Sequence, residues 1–252
     1  MPGENIGIIP ARGGSKGIPL KNLQLLNDLP LVAYAILCSL KSPSINRTVV
    51  STDHDKIAEV AERYGAEVIM RPSETATDEA PTESAMTHVV QTLEDSGIRV
   101  GNIALIQATC PFRLVADVEN GFAILKSGNG DAIVSVSPVP AHFHPYWLKR
   151  LTSSGHLASL YQEADIHHEI LETKRYWRRQ DLPGTYYWKN GALYIMSRHS
   201  LMVEGHRYGK ACYPLVMESA RLVNIDTEED LIIAEKMLRE GKVKLDFVDW
   251  EN

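Results

Sequence analysis

Between Ile8 and Asn22 the chain reads Ile-Ile-Pro-Ala-Arg-Gly-Gly-Ser-Lys-Gly-Ile-Pro-Leu-Lys-Asn, an apolar strand emptying into a loop of glycines, a serine and cations. Gly13, Gly14 and Gly17 let backbone N–H groups close around an anion, while Arg12, Lys16 and Lys21 bring the charge that holds it. Such a loop suits a triphosphate. It is not a Walker loop, because Lys16 precedes Gly17 and no Gly-Lys-Ser/Thr follows, and it lacks the Gly-x-Gly-x-x-Gly spacing of dinucleotide sites. The alternative is a surface loop with solvated charges, and the density of glycines and cations directly after the first strand weighs against it.

Other chemistry-bearing side chains are less concentrated. His142 with His144, and His167 with His168 and Glu169, could contribute to a metal site, but neither group has a further ligand at characteristic spacing, so loop or interface histidines are the better reading. Cys38, Cys110 and Cys212 are widely spaced and form no Cys-x-x-Cys pair, which points to buried thiols in a reducing compartment. Tyr176, Trp177, Tyr186, Tyr187 and Trp188 could line a sugar or pack a dimer contact.

The elements that must position the loop follow from periodicity. Strands are expected at Asn5–Pro10, Arg47–Ser51, Glu67–Met70, Ile103–Gln107, Ala132–Val136 and Gly191–Met196. Helices are expected at Pro30–Leu40, Lys56–Tyr64 with Asp53 as N-cap and Gly65 just past the end, Thr82–Asp95, Val115–Leu125 and Glu228–Arg239. This alternation implies an α/β fold, doubly wound, with a mainly parallel sheet and helices on both faces. Residues 138–189 are rich in His, Tyr, Trp, Arg and Pro, with weak periodicity and only short strand candidates such as Tyr146–Leu151. They read as an arm inserted into a single domain spanning residues 1–252.

The 252 residues suffice for one large core, and 44% hydrophobic with 23% charged residues is ordinary for a soluble protein. A formal charge of −6 argues against a general nucleic-acid binder, though not against a nucleotide substrate, which needs only local cations. No stretch approaches a transmembrane helix, and the start of the chain has no secretory pattern, so a soluble cytoplasmic protein without membrane partners is expected.

The opening motif, from Ile9 to Asn22, resembles that of the acylneuraminate cytidylyltransferase (CMP-sialic acid synthetase) family. The likeness continues through Val49–Asp53, Arg71–Glu74 with Ala76–Asp78, Gln107–Arg113, Arg179–Pro183, Asn190–Ile195 and Ile225–Thr227, in order and over nearly the whole chain. The resemblance implies a nucleotide-diphospho-sugar transferase-like fold with a protruding dimerisation arm, a homodimer, Mg²⁺ as cofactor, and CTP with an acidic sugar as substrates. It implies that Arg12 and Lys16 bind the CTP phosphates, with Gly13, Gly14 and Ser15 in the same loop, and that Asn22, Arg71 and Thr82 contact the cytidine or its phosphate. Gln107 and Arg179 match positions that hold the sugar acid, Arg179 through its carboxylate, which a planar guanidinium can bind by two hydrogen bonds. Tyr194 matches a tyrosine of that pocket, and Lys149 is the candidate for a lysine near the sugar. Arg113, in the same stretch as Thr109 and Pro111, reads equally as a ligand contact or a structural arginine.

Two departures from the family pattern bear on the chemistry. The family's metal-binding Asp-x-Asp becomes Asn224-Ile225-Asp226 here; an amide oxygen can still ligate, with one negative charge fewer, and Asp226 could instead be the N-cap of the last helix. An arginine expected shortly before Asn190-Gly191-Ala192 is missing from Gly184–Lys189. The expected activity is transfer of CMP from CTP to the anomeric hydroxyl of a nine-carbon, sialic-acid-like sugar acid, with Arg12, Lys16 and Asp226 as the catalytic candidates. The alternatives are another acid sugar, such as a 3-deoxy-octulosonate, or a non-catalytic nucleotide-binding homologue.

Overall fold

The computed structural model describes residues 3–15, 17–72, 80–128, 130–160, 176 and 178–248. The chain divides into two compact units, one of Met1–Val136 with Asn190–Asn252, the other of Ser137–Lys189. Apart from a short ladder between Leu25–Leu26 and Leu29–Pro30, the strands are β1 (Glu4–Pro10), β2 (Arg47–Thr52), β3 (Glu67–Met70), β4 (Val100–Ile106), β5 (Ala132–Pro138), β6 (Lys149–Leu151), β7 (Leu157–Ser159), β8 (Tyr187–Ser197) and β9 (Cys212–Val216). Among the described residues, the helices of four residues or more are α1 (Leu31–Leu40), α2 (Asp55–Arg63), α3 (Thr82–Asp95), α4 (Val115–Ser127), α5 (Arg198–Met202) and α6 (Glu228–Arg239).

Seven strands form one mixed, mainly parallel sheet in the order β9-β5-β8-β4-β1-β2-β3. β1 pairs parallel with β2 and β4, β2 with β3, and β5 with β9, while β8 runs antiparallel to β4. Because strand side chains alternate in direction, each strand feeds two cores. Ala104, Ile106, Leu193 and Ile195 pack with Val32, Ile57, Val118, Phe122 and Ala234 of α1, α2, α4 and α6. Ile103, Leu105, Tyr194 and Met196 pack with Met86, Val89 and Val90 of α3 and Leu201 of α5. Burying each Ile or Leu of these clusters contributes about 1.5–3 kcal/mol. The consequence for function is directional: β1 and β4 lie side by side and parallel, so the loops after Pro10 and Ile106 leave the sheet at the same edge.

Some local expectations change. Asp53 does not cap α2; His54 occupies the N-cap position, and the Asp53 carboxylate accepts a hydrogen bond from the Gly13 backbone instead. Cys38 and Cys110 are buried free thiols, with burial pushing Cys38 up to about 11, but Cys212 lies exposed on the edge strand β9. No described helix is long and apolar enough to cross a membrane.

In the second unit, Tyr146–Leu151 is strand only over Lys149–Leu151, which pairs with β7 as a hairpin. Its packing is aromatic. The His144 ring is 4.7 Å from that of Tyr186 and 5.6 Å from that of Tyr146, and the Trp147 indole donates to the Tyr176 carbonyl at 2.6 Å. His142 packs on Phe143, so this histidine pair serves an aromatic cluster; His167, His168 and Glu169 lie outside the described residues.

Candidate active site

At the edge where β1 and β4 end, a cleft of about 390 Å³ is lined by Arg12, Ser15, Gly17, Lys21, Asn22, Thr82, Gln107, Thr109 and Asp226, together with Pro10 and Ala108. Ligands of open α/β sheets bind beyond the carboxyl ends of the parallel strands, and this is such a position. Of the residues singled out from sequence, Arg12, Ser15, Asn22, Thr82, Gln107 and Asp226 converge here, across more than two hundred residues of chain. Lys16 lies outside the described residues.

The loop after β1 is braced from three sides. Ala11 N–H donates to the Ser51 carbonyl at 2.9 Å, Gly13 N–H to Asp53 Oδ1 at 2.9 Å, and the Asn22 amide to the Arg12 carbonyl at 3.0 Å. Asn22 therefore spends one amide hydrogen on the loop itself. Each such bond contributes about 1 kcal/mol, and together they fix where the Arg12 side chain starts. Gly17 meets the opposite wall: a Cβ there would collide with the Asp226 carbonyl oxygen, so only glycine permits the approach.

Arg71 is 9% exposed and sits beside the loop, not in its lining. Burial is the largest influence on its guanidinium and lowers its pKa; Asp53 opposes this and Arg12 adds to it. Its Nε has no hydrogen-bond partner among the described residues. A buried arginine with an N–H left without a partner among the described residues gains from an anion such as a phosphate.

Thr82 opens α3, whose N-cap Pro81 makes no side-chain cap, and the positive end of that helix lies beside the cleft. Glu83 anchors the same turn through Arg207, with Nε–Oε1 at 2.6 Å and Nη2–Oε2 at 2.9 Å. The Arg207 guanidinium lies 5.1 Å over the Tyr194 ring, which is 5% exposed and packs against Tyr208. Tyr194 thus sits in the core beneath α3 and is not among the lining residues of the cleft.

The Arg207 hydrogen bond is the main reason the Glu83 carboxyl titrates below its ordinary value of 4.5. A depressed carboxyl stabilises the fold above its unfolded pKa and loses that contribution as pH falls through the folded one. Glu83→Gln is expected to destabilise by about 1.5–3 kcal/mol at pH 7. The gap between wild type and variant should shrink as pH drops below 4.5. Urea midpoints at pH 7 and pH 3.5 check this; a gap independent of pH would remove the ionic role.

The last wall comes from Asn224–Asp226, tied down by Ile225 N–H donating to the Thr109 carbonyl at 2.8 Å. Asp226 is the one carboxylate among the described lining residues, and Lys21 Nζ reaches its Oδ1 at 2.8 Å and the Ile225 carbonyl at 2.8 Å. Asn224 Nδ2 donates to Asp226 Oδ2. Asp226 is not the cap of α6: Thr227 is, in a capping box with Asp230. Desolvation works to raise the Asp230 carboxyl, but hydrogen bonds from the Asp226 and Thr227 backbone hold it below its usual range.

Arg113 resolves as structural. It is 1% exposed, and its Nη1 donates to the carbonyls of Ala192 and Gln107, which joins β8 to the turn after β4. Gly13 and Gly14 belong to the loop but do not line the cleft. Lys149 and Arg179 lie in the second unit, Lys149 at the start of β6 and Arg179 at the start of a 3-10 turn, Arg179–Asp181; both are exposed. Sequence reasoning counted Lys21 among the loop cations but missed its pairing with Asp226. It also missed Asp53 as a brace for Gly13; their place in the shared motifs was the available signal.

The chain matches the cytidylyltransferase family over residues 6–239. It is 31% identical to the CMP-N,N'-diacetyllegionaminic acid synthase of Legionella pneumophila, over 92% of this chain and 95% of that one. It is 28% identical to the N-acylneuraminate cytidylyltransferase of Escherichia coli over 91% of its own length, and spans about half (51%) of that relative. A CMP:2-keto-3-deoxy-manno-octonic acid synthetase solved with CTP superposes with a TM-score of 0.66 at 14% identity, covering 94% of this chain and 99% of the other, which shows a shared fold.

Proposed function

This chain belongs to the cytidylyltransferase family, and from that premise we propose that it transfers CMP from CTP to the anomeric hydroxyl of a nine-carbon, sialic-acid-like sugar acid, releasing pyrophosphate. The observation that carries the reading is the convergence of Arg12, Ser15, Lys21 and the start of α3 on one cleft whose described lining holds a single carboxylate, Asp226. Cations and the positive end of a helix suit a triphosphate. In the reaction the sugar oxygen bonds to the α-phosphorus, the α–β bridging P–O bond breaks, and the hydroxyl proton passes to solvent. The chain's contribution is positioning and charge neutralisation: Arg12, Lys16 and Lys21 on the phosphates, Asn22, Arg71 and Thr82 on the nucleotide.

Mg²⁺ fits the same cleft through Asp226, since that ion commonly takes one or two carboxylates and completes its shell with phosphate oxygens and water. When bound it would neutralise charge on the triphosphate. The reading includes Gln107, Arg179 and Lys149 on the side of the sugar acid, with Tyr194 buried behind the cleft as support and not as a contact, and a cytoplasmic homodimer with a doubly wound sheet. It assigns the unit Ser137–Lys189 as the dimerisation arm, supported by the exposure of Leu151 and Leu157 on its hairpin, at 72% and 74%.

Pyrophosphate release measured with CTP, UTP, ATP and GTP against sialic, legionaminic, pseudaminic and octulosonic acids tests the reading. Turnover is expected with CTP and a nine-carbon acid; turnover confined to octulosonate or to another nucleotide would replace it. Arg179→Lys should raise the sugar's KM about tenfold while CTP affinity stays unchanged, because an ammonium cannot reproduce a two-point carboxylate bond. Calorimetric titration of each ligand separates the two effects, and a loss of CTP affinity would move Arg179 to the triphosphate.

A further inference from the structure

We infer that Asn224 is a positioning residue and not a metal ligand, and that with Lys21 it keeps Asp226 closed to a divalent cation until nucleotide arrives. The inference rests on the proposed cytidylyl transfer. Both carboxylate oxygens of Asp226 are engaged: Oδ1 accepts from Lys21 Nζ at 2.8 Å and Oδ2 from the Asn224 amide nitrogen. The amide sense follows from chemistry, because the opposite face of Asn224 meets the Cys110 thiol, with Sγ 3.5 Å from Oδ1. Exchanging the amide nitrogen and oxygen would set one oxygen against the carboxylate and forfeit its hydrogen bond. Cys110 is 3% exposed and also reaches the Asn190 carbonyl, so this backing is part of the core and does not turn with solvent.

Asn224 therefore offers its donor where a second carboxylate would offer an acceptor. A divalent cation seeking Asp226 alone meets a fixed ammonium 2.8 Å from one oxygen and an N–H on the other, and like charges at that range oppose each other. A triphosphate removes the obstacle by giving Lys21 another anion and the cation further anionic oxygens. Nucleotide must then precede the metal or bring it along.

Proton relaxation enhancement by Mn²⁺ reports protein-bound ion without requiring turnover. Wild type without nucleotide is expected to bind Mn²⁺ at least tenfold more weakly than Asn224→Asp, a difference of about 1.4 kcal/mol. Lys21→Gln should likewise bind it more tightly than wild type. Adding CTP to wild type should create a bound-Mn²⁺ signal, and this comparison stands even where Asn224→Asp does not fold. One Mn²⁺ bound by nucleotide-free wild type as tightly as by Asn224→Asp, or unaffected by CTP, overturns the inference while leaving the transferase reading intact. Calorimetry of CTP with Mg²⁺ runs in parallel, and absence of CTP binding there overturns both.

Discussion

Replacing Asp226 by Asn is expected to lower kcat by at least about a hundredfold while leaving the fold nearly as stable as before. Asp226 is the single carboxylate among the described residues of the cleft, and Lys21 holds it from a distance of 2.8 Å. Asparagine preserves its shape and one acceptor but removes the charge that any cation on the triphosphate would need. Stability should change by less than about 1 kcal/mol, because the Asp226 side chain is 60% exposed and such pairs contribute little. The helix that follows is capped by Thr227 and Asp230, so it does not depend on Asp226 for its first turn. Steady-state rates on the folded variant, beside urea midpoints, separate the two quantities. Activity within a few-fold of wild type would leave Asp226 as an ordinary loop carboxylate.

Gly17→Ala should be comparably severe for a different reason. The new Cβ would collide with the Asp226 carbonyl oxygen, a backbone atom held in place by the hydrogen bond from Ile225 to Thr109. The loop must then withdraw from the 224–226 wall, carrying Ser15 and Lys21 away from the cleft. Displacements of about 1 Å in a reacting site can cost a hundredfold, so kcat/KM for CTP is expected to fall by about that factor. The core clusters do not include Gly17, so near-ultraviolet circular dichroism should be preserved. A variant with normal CTP kinetics would show that the loop and the Asp226 segment move independently.

Much of the fold was legible because periodicity and burial agree. α3 spans Thr82–Asp95 as the spacing of Ala85, Met86, Val89, Val90 and Leu93 requires, and all five are buried. β9 was missed because Pro214 sits at its centre and its outward residues are exposed; on an edge strand proline loses no ladder bond, so the sheet tolerates what the sequence disguises. α5 was missed because five residues carry no helical period, only a Ser197 cap whose hydroxyl accepts from the Ser200 N–H. In α6 the apolar stripe is imperfect: Ile232 is 65% exposed.

The cleft residues were legible as types in shared motifs, but their pairings were not. That Asp53 braces Gly13 and not α2, and that Asn224 turns its nitrogen to Asp226, depends on neighbours 40 and 114 positions away. A helix cap and a loop brace demand the same carboxylate, and only the approach of the first strand's loop decides between them.

The defining event of the proposed reaction is formation of a bond between the sugar's anomeric oxygen and the α-phosphorus of CTP. Phosphorus NMR of the protein with CTP, Mg²⁺ and a nine-carbon sugar acid reads that bond directly. Loss of the three triphosphate resonances should be matched by one new phosphodiester resonance and by pyrophosphate, in equal amounts and only when the sugar is present. Inorganic phosphate with CDP, or an unchanged triphosphate spectrum under conditions where CTP is bound, would contradict it.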